Sequence, residues 1–109
     1  MKSQTQSQLN PSRHDQVIAT YANTEPEQIR NAIKIGLAAK EEWQEMEFEE
    51  RAAIFLKAAE LIAGKYRYEI MAATMLGQGK NIWQAEIDAA AESCDFLRSE
   101  SSIERRSFY

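Results

Sequence analysis

From Pro26 to Arg98 the apolar residues recur at intervals of three and four, and after Pro26 no proline breaks the stretch. That spacing writes amphipathic helices, because a 3.6-residue period returns every third or fourth side chain to one face. It constrains the fold more than any other feature of the chain. The plentiful alanine, glutamate, lysine, leucine and isoleucine, with only four glycines and two prolines in 109 residues, point the same way.

Four helices follow. Thr24-Glu25-Pro26-Glu27 has the form of a capping box, with Thr24 as cap, Pro26 in the first turn and Glu27 reaching back. Ile29, Ala32, Ile33, Gly36, Leu37, Lys40 and Trp43 then form one stripe, and the helix should end near Met46. Gly36 in that stripe suggests a close helix contact. A second helix, Phe48 to Ala63, turns Ala52, Phe55, Leu56, Ala59 and Ile62/Ala63 inward, with Gly64 at the C-cap. A third runs from Tyr66 to Leu76 with Ile70, Ala73 and Met75/Leu76 inward, and Gly77-Gln78-Gly79 ends it. A fourth covers Asn81 to Arg98, capped by Asn81, with Ile82, Ala85, Ile87, Ala89, Ala90 and Phe96 as its apolar set.

The flanks differ. Residues 1–13, rich in Gln and Ser, are expected to be a flexible tail. Residues 14–21 favour a short strand through Val17, Ile18, Thr20 and Tyr21. A lone strand leaves its backbone unpaired, and no partner strand is evident. Residues 99–109 lose the pattern and are expected to be disordered, with Phe108 and Tyr109 at the end. The expected fold is mainly α: a short N-terminal strand followed by about four helices.

Chemistry is sparse. Gly77-Gln78-Gly79-Lys80 hints at a phosphate loop, but the GxxxxGK[ST] pattern and a preceding strand are lacking. A helix-to-helix turn with Lys80 in solvent is the expected reading. Cys94 is the one cysteine, and it needs a base or a positive environment to act as a nucleophile. The one histidine, His14, lies far off in the chain, so a buried structural thiol is expected. Glu86 and Asp88 should face different sides of the fourth helix, whereas Asp88, Glu92 and Asp95 share one face at i, i+4 and i+7. Three acids there suit a cation or an ammonium group, or simply a solvated face. No Cys/His cluster suggests a metal. A net charge of −4 gives no general attraction for nucleic acid. No apolar run approaches the ~20 residues of a membrane span, and the N-terminus shows no clear presequence.

Residues 51–98, RAAIFLKAAELIAGKYRYEIMAATMLGQGKNIWQAEIDAAAESCDFLR, resemble the 1-pyrroline-5-carboxylate dehydrogenases of the aldehyde dehydrogenase superfamily. Met75-Leu-Gly-Gln-Gly-Lys80 followed by Gln84-Ala-Glu-Ile-Asp-Ala-Ala-Ala-Glu92 is distinctive for that family, and the similarity extends back through Lys40-Glu-Glu-Trp43 to about His14. It stops at Arg98. The resemblance implies a partial aldehyde dehydrogenase fold, with residues 14–98 as the N-terminal helical part and 99–109 unrelated. The full-length family oxidises glutamate γ-semialdehyde, the opened form of 1-pyrroline-5-carboxylate, to glutamate with NAD in proline catabolism. It does so with a cysteine, a glutamate and an asparagine that lie downstream of the match. The chain is therefore expected to be a truncated relative that is inactive alone and holds no cofactor. By resemblance, Glu92 lies near the substrate pocket of the full-length enzyme. A mitochondrial matrix location and an oligomeric full-length enzyme are implied likewise; without the resemblance a cytoplasmic location is expected. The alternative is a helical interaction module that binds full-length subunits or another protein.

Overall fold

The computed structural model describes residues 5–106, with side chains for residues 5–99. The chain divides into two compact units, Met1–Met46 and Glu47–Tyr109.

The first unit holds an antiparallel ribbon, β1 (Thr5–Asn10) and β2 (Arg13–Ala22), and the helix α1 (Pro26–Glu45). β1 lies inside the stretch expected to be a flexible tail, and it is the partner that β2 lacked on the sequence reading. The missed signal is turn chemistry. Asn10-Pro11 opens the turn, and the Asn10 carboxamide closes it: its oxygen accepts from the Ser12 N–H at 2.9 Å. Its nitrogen donates to Gln16 Oε1 at 2.9 Å, and Asn10 is the buried polar residue of the ribbon. Opposite Gln8 and Leu9 stand Ala19 and Val17, so Ile18 is the extra residue of a β-bulge. Residues 1–4 of the expected tail lie outside the described residues.

α1 starts one residue later than the capping-box reading placed it. Glu25 is the cap, and its N–H donates to Gln28 Oε1 at 2.8 Å, with Pro26 at the first helical position. The expected stripe is present along α1 but none of it is buried. Within its own unit, a Cβ built on Gly36 would meet no atom within 4 Å.

The second unit contains α2 (Phe48–Ala63), α3 (Arg67–Gln78), the single turn α4 (Ile82–Ala85), a π-helical turn (Glu86–Ala91) and α5 (Glu92–Arg106). Glu49 and Glu50 sit in the first turn of α2, where acids complement the helix dipole. Gly64 caps α2 as expected, its N–H bonding to the Glu60 carbonyl at 3.0 Å. α3 ends at Gly79, whose φ of 65° is the left-handed conformation that glycine adopts without strain. Asn81 caps the next segment as expected. Its side chain accepts from the Gln84 N–H, and the Gln84 side chain accepts from the Asn81 N–H, both at 3.0 Å.

The core is built of small residues: Ala52, Ala59, Met71, Ala85, Ala90 and Cys94. Two seams share it. Met71, Ala85 and Ala90 cluster with Met75, joining α3 to α4 and the π turn. Ala59 and Cys94 join α2 to α5.

The buried faces depart from the expected stripes from α2 onward: Ala52 and Ala59 are buried as expected, but Phe55 and Leu56, expected inward, are 36% and 48% exposed. In α3 Ile70 and Met75 turn inward as expected, but Met71 and Thr74 join them while Ala73 and Leu76 are exposed. After Asn81 the single expected helix is interrupted by the π turn. Ala85 and Ala90, five residues apart, are both fully buried, while Ile87 is 58% and Phe96 63% exposed. A uniform 3.6-residue period cannot place residues five apart on one face and then continue. The extra residue in the π turn makes that placement. α5 continues through residues 99–106, which were expected to be disordered; Phe108 and Tyr109 lie outside the described residues.

Candidate functional site

The polar chemistry of the second unit gathers at the π turn. Two carboxylates from that turn, Glu86 and Asp88, are half-buried, and each has a basic partner. Arg67, which opens α3, pairs with Glu86. Lys80, which follows the end of α3, pairs with Asp88. The side chains of Lys80 and Asp88 are 30% and 40% exposed, so the lysine expected in solvent is drawn back onto the helices. One helix thus supplies, from its two ends, the cations that hold both acids.

The π turn also rearranges the backbone bonding. The Glu92 N–H donates to the Ile87 carbonyl, five residues back rather than four. The Ser93 hydroxyl donates to the Asp88 carbonyl at 3.2 Å, adding a side-chain donor within the turn. Glu92 itself is exposed at the first position of α5. The expected face of Asp88, Glu92 and Asp95 does not assemble into one site. Asp88 is taken by Lys80, and Asp95 lies 3.8 Å from Arg98 on the exposed side of α5. The i, i+4 argument presumed uniform α-helix from Asp88 to Glu92, and the π turn lies across that interval. Among the described residues no group of three or more His, Cys, Asp or Glu side chains is placed to hold a metal.

Cys94 is buried, and its Sγ donates to the Ala59 carbonyl at 3.4 Å. A thiol engaged as a donor between two helices is a packing residue, as expected. His14 Nε2 contacts the Pro11 carbonyl at 3.1 Å within the ribbon turn. α3 runs on through Gly77 and Gln78, so the helix-to-helix turn that the sequence suggested comprises residues 79–81, and its Lys80 is committed to Asp88.

The common dinucleotide fingerprint is a glycine-rich turn between a parallel strand and a helix N-terminus. Here the strands form an antiparallel two-stranded ribbon, and the glycine turn has a helix before it. No helix among the described residues is long and apolar enough to cross a membrane.

Comparison with known proteins places the chain. The profile of the aldehyde dehydrogenase family matches residues 1–106, so the match continues past Arg98, where the resemblance was expected to stop. The mitochondrial delta-1-pyrroline-5-carboxylate dehydrogenase of Dictyostelium discoideum is 52% identical over 93 residues, covering 85% of this chain and 17% of that protein. The mitochondrial enzyme of Homo sapiens is 46% identical over 96 residues, covering 88% of this chain and 17% of that protein. Among solved structures, the Delta-pyrroline-5-carboxylate dehydrogenase of Mycobacterium tuberculosis superposes with a TM-score of 0.92 at 40% identity. That match covers 97% of this chain and 20% of the other. The same mycobacterial enzyme has been solved bound with NAD. The chain thus spans a small part of the length of each relative. With a family match over nearly its whole length, and relatives named delta-1-pyrroline-5-carboxylate dehydrogenase at 46% and 52% identity, this chain belongs to the aldehyde dehydrogenase family.

Proposed function

We propose that this chain corresponds to the N-terminal helical part of an NAD-dependent dehydrogenase that oxidises 1-pyrroline-5-carboxylate, as glutamate γ-semialdehyde, to glutamate, and that the chain alone is catalytically inactive. The observation that carries the inactive reading is the state of Cys94. It is the sole thiol of the chain, and it is spent on a carbonyl inside the helix packing. Aldehyde oxidation by this family needs an accessible thiolate to attack the carbonyl carbon. Within a full-length enzyme, Glu92 has a different standing. It is an exposed carboxylate at the start of α5, suited to face the ammonium end of an amino-acid aldehyde.

A purified sample incubated with NAD and glutamate γ-semialdehyde should produce no NADH above the buffer rate. Turnover that scales with the concentration of the chain would overturn the proposal. The relatives named mitochondrial support a mitochondrial matrix location for this chain too.

A second reading concerns partners. Ile29, Ile33 and Leu37 of α1, and Ile82, Trp83 and Phe96 of the second unit, are large apolar side chains left exposed. Exposed apolar surface that is contiguous marks sites that other protein covers, and Ile29, Ile33 and Leu37 follow one another at helical spacing along α1. The partner proposed is a full-length dehydrogenase subunit. Co-purification with tagged full-length enzyme supports this reading, and its absence at micromolar concentrations of both counts against it.

A further inference from the structure

The π turn stands between the two seams of the second unit. On one side, Ala85 and Ala90 pack against Met71 of α3. On the other, Cys94 of α5 meets Ala59 of α2. In an uninterrupted α-helix each residue turns by ~100°, so removing the extra residue's offset would rotate α5 by about that angle against α4. Either the α3 seam or the Cys94 contact would then be lost. A π turn is a less favourable hydrogen-bonding arrangement than α-helix, so something must hold it. The residues placed to do so are the two acids inside the turn, Glu86 and Asp88, each tied to a cation from an end of α3.

We propose that the Arg67–Glu86 and Lys80–Asp88 ion pairs are a register latch: they hold residues 86–91 in the π turn, and opening them lets the segment relax toward α-helical register, turning α5 so that Cys94 leaves its site against Ala59. The acids are held from opposite ends of one helix, so the pair resists both sliding and rotation of the turn. The latch is partly solvated, with side-chain exposures of 29% and 35% for Arg67 and Glu86. It therefore responds to ionic strength, because partly exposed pairs are screened. In the closed state the register sets which residues of α5 face outward, Glu92 and Phe96 among them. Arg67 and Lys80 act here as positioning residues.

Cys94, the single cysteine, reports the register directly. The 109-residue chain is labelled with a neutral alkylating reagent, and the amide exchange of Glu92 and Ser93 is followed in parallel. Lys80→Met and Asp88→Asn should each raise the Cys94 labelling rate about fivefold, the factor for ~1 kcal/mol of lost pairing. Exchange at residues 92 and 93 should speed equally, with far-UV circular dichroism unchanged. Lys80→Arg should restore the slow rate. In the unsubstituted chain, raising salt from ~0.05 M to ~1 M should speed labelling, and in Lys80→Met it should not. Labelling that is indifferent to Lys80→Met, to Asp88→Asn and to salt overturns the latch. So does labelling of the unsubstituted chain at the rate of a free thiol. If Lys80→Met unfolds the chain, the salt response of the unsubstituted protein decides alone.

Discussion

At the scale of single residues, size decides more than hydrophobicity. The buried positions of the second unit are mostly alanine, with Met71 and Cys94, while the larger Ile82, Ile87 and Phe96 remain exposed. Small side chains let helix backbones approach, and a seam built this way tolerates added volume poorly. Ala90→Leu should therefore destabilise the chain by about 1–3 kcal/mol. Ile87→Ala, a change in side-chain size as large as that of Ala90→Leu, should change stability by no more than ~0.5 kcal/mol, because Ile87 lies outside the core. Denaturant titrations of the two variants check this, and the reverse order would place Ile87 rather than Ala90 in the buried face. The same scale explains what was legible of the candidate site. The structural role of Cys94 followed from the lack of a nearby base in the sequence. The pairing of Lys80 did not, because Asp88 reaches it only after the chain turns back along α3.

At the scale of elements, the helix ends were written in the sequence more clearly than the helix faces. Asn81 with Gln84, Pro26, and the glycines at 64 and 79 each act locally, through bonds within a few residues, so the sequence displays them. The two glycines that close α3 make opposite predictions. Gly79 has a left-handed φ of 65°, so Gly79→Ala should cost about 1–2 kcal/mol. Gly77 lies in the last turn of α3 with open space where a Cβ would go, so Gly77→Ala should stabilise by ~0.5–1 kcal/mol. Opposite shifts in the thermal midpoint check the pair, and a gain from Gly79→Ala would contradict the observed turn. The ribbon was half legible. β2 showed its β-branched and aromatic residues, whereas β1 is polar and becomes a strand only because the Asn10-Pro11 turn brings it alongside β2. The π turn was not legible, since a hydrophobic period cannot reveal where one residue is inserted until the seams on both sides are known.

At the scale of the whole chain, no large side chain is fully buried among the described residues, and both units expose extensive apolar surface. A core of alanine, methionine and cysteine excludes little apolar area from water, and the stability it supplies is correspondingly small. The isolated chain should therefore melt broadly and at low temperature. It should also self-associate as concentration rises, which sedimentation velocity can follow. A sharp melt above ~60 °C from a monodisperse monomer would contradict this. The comparisons fit the same picture: the chain matches 97% of its own length to a solved dehydrogenase but only 20% of that enzyme. Much of what would cover α1 and the outer face of α5 is thus proposed to lie in other protein.

The sequence by itself determined the mainly helical class, the four helical segments, the caps at Gly64, Gly79 and Asn81, and the family, because these rest on local periodicity, short-range hydrogen bonds and a distinctive run of residues from Met75 to Glu92. The tertiary structure decided the rest: the second strand, the small-residue seams, the pairing of Glu86 and Asp88, and the outward direction of Glu92. Each depends on which helix lies opposite. One inserted residue in a π turn, needed to satisfy two neighbouring helices at once, sets the face of everything that follows it.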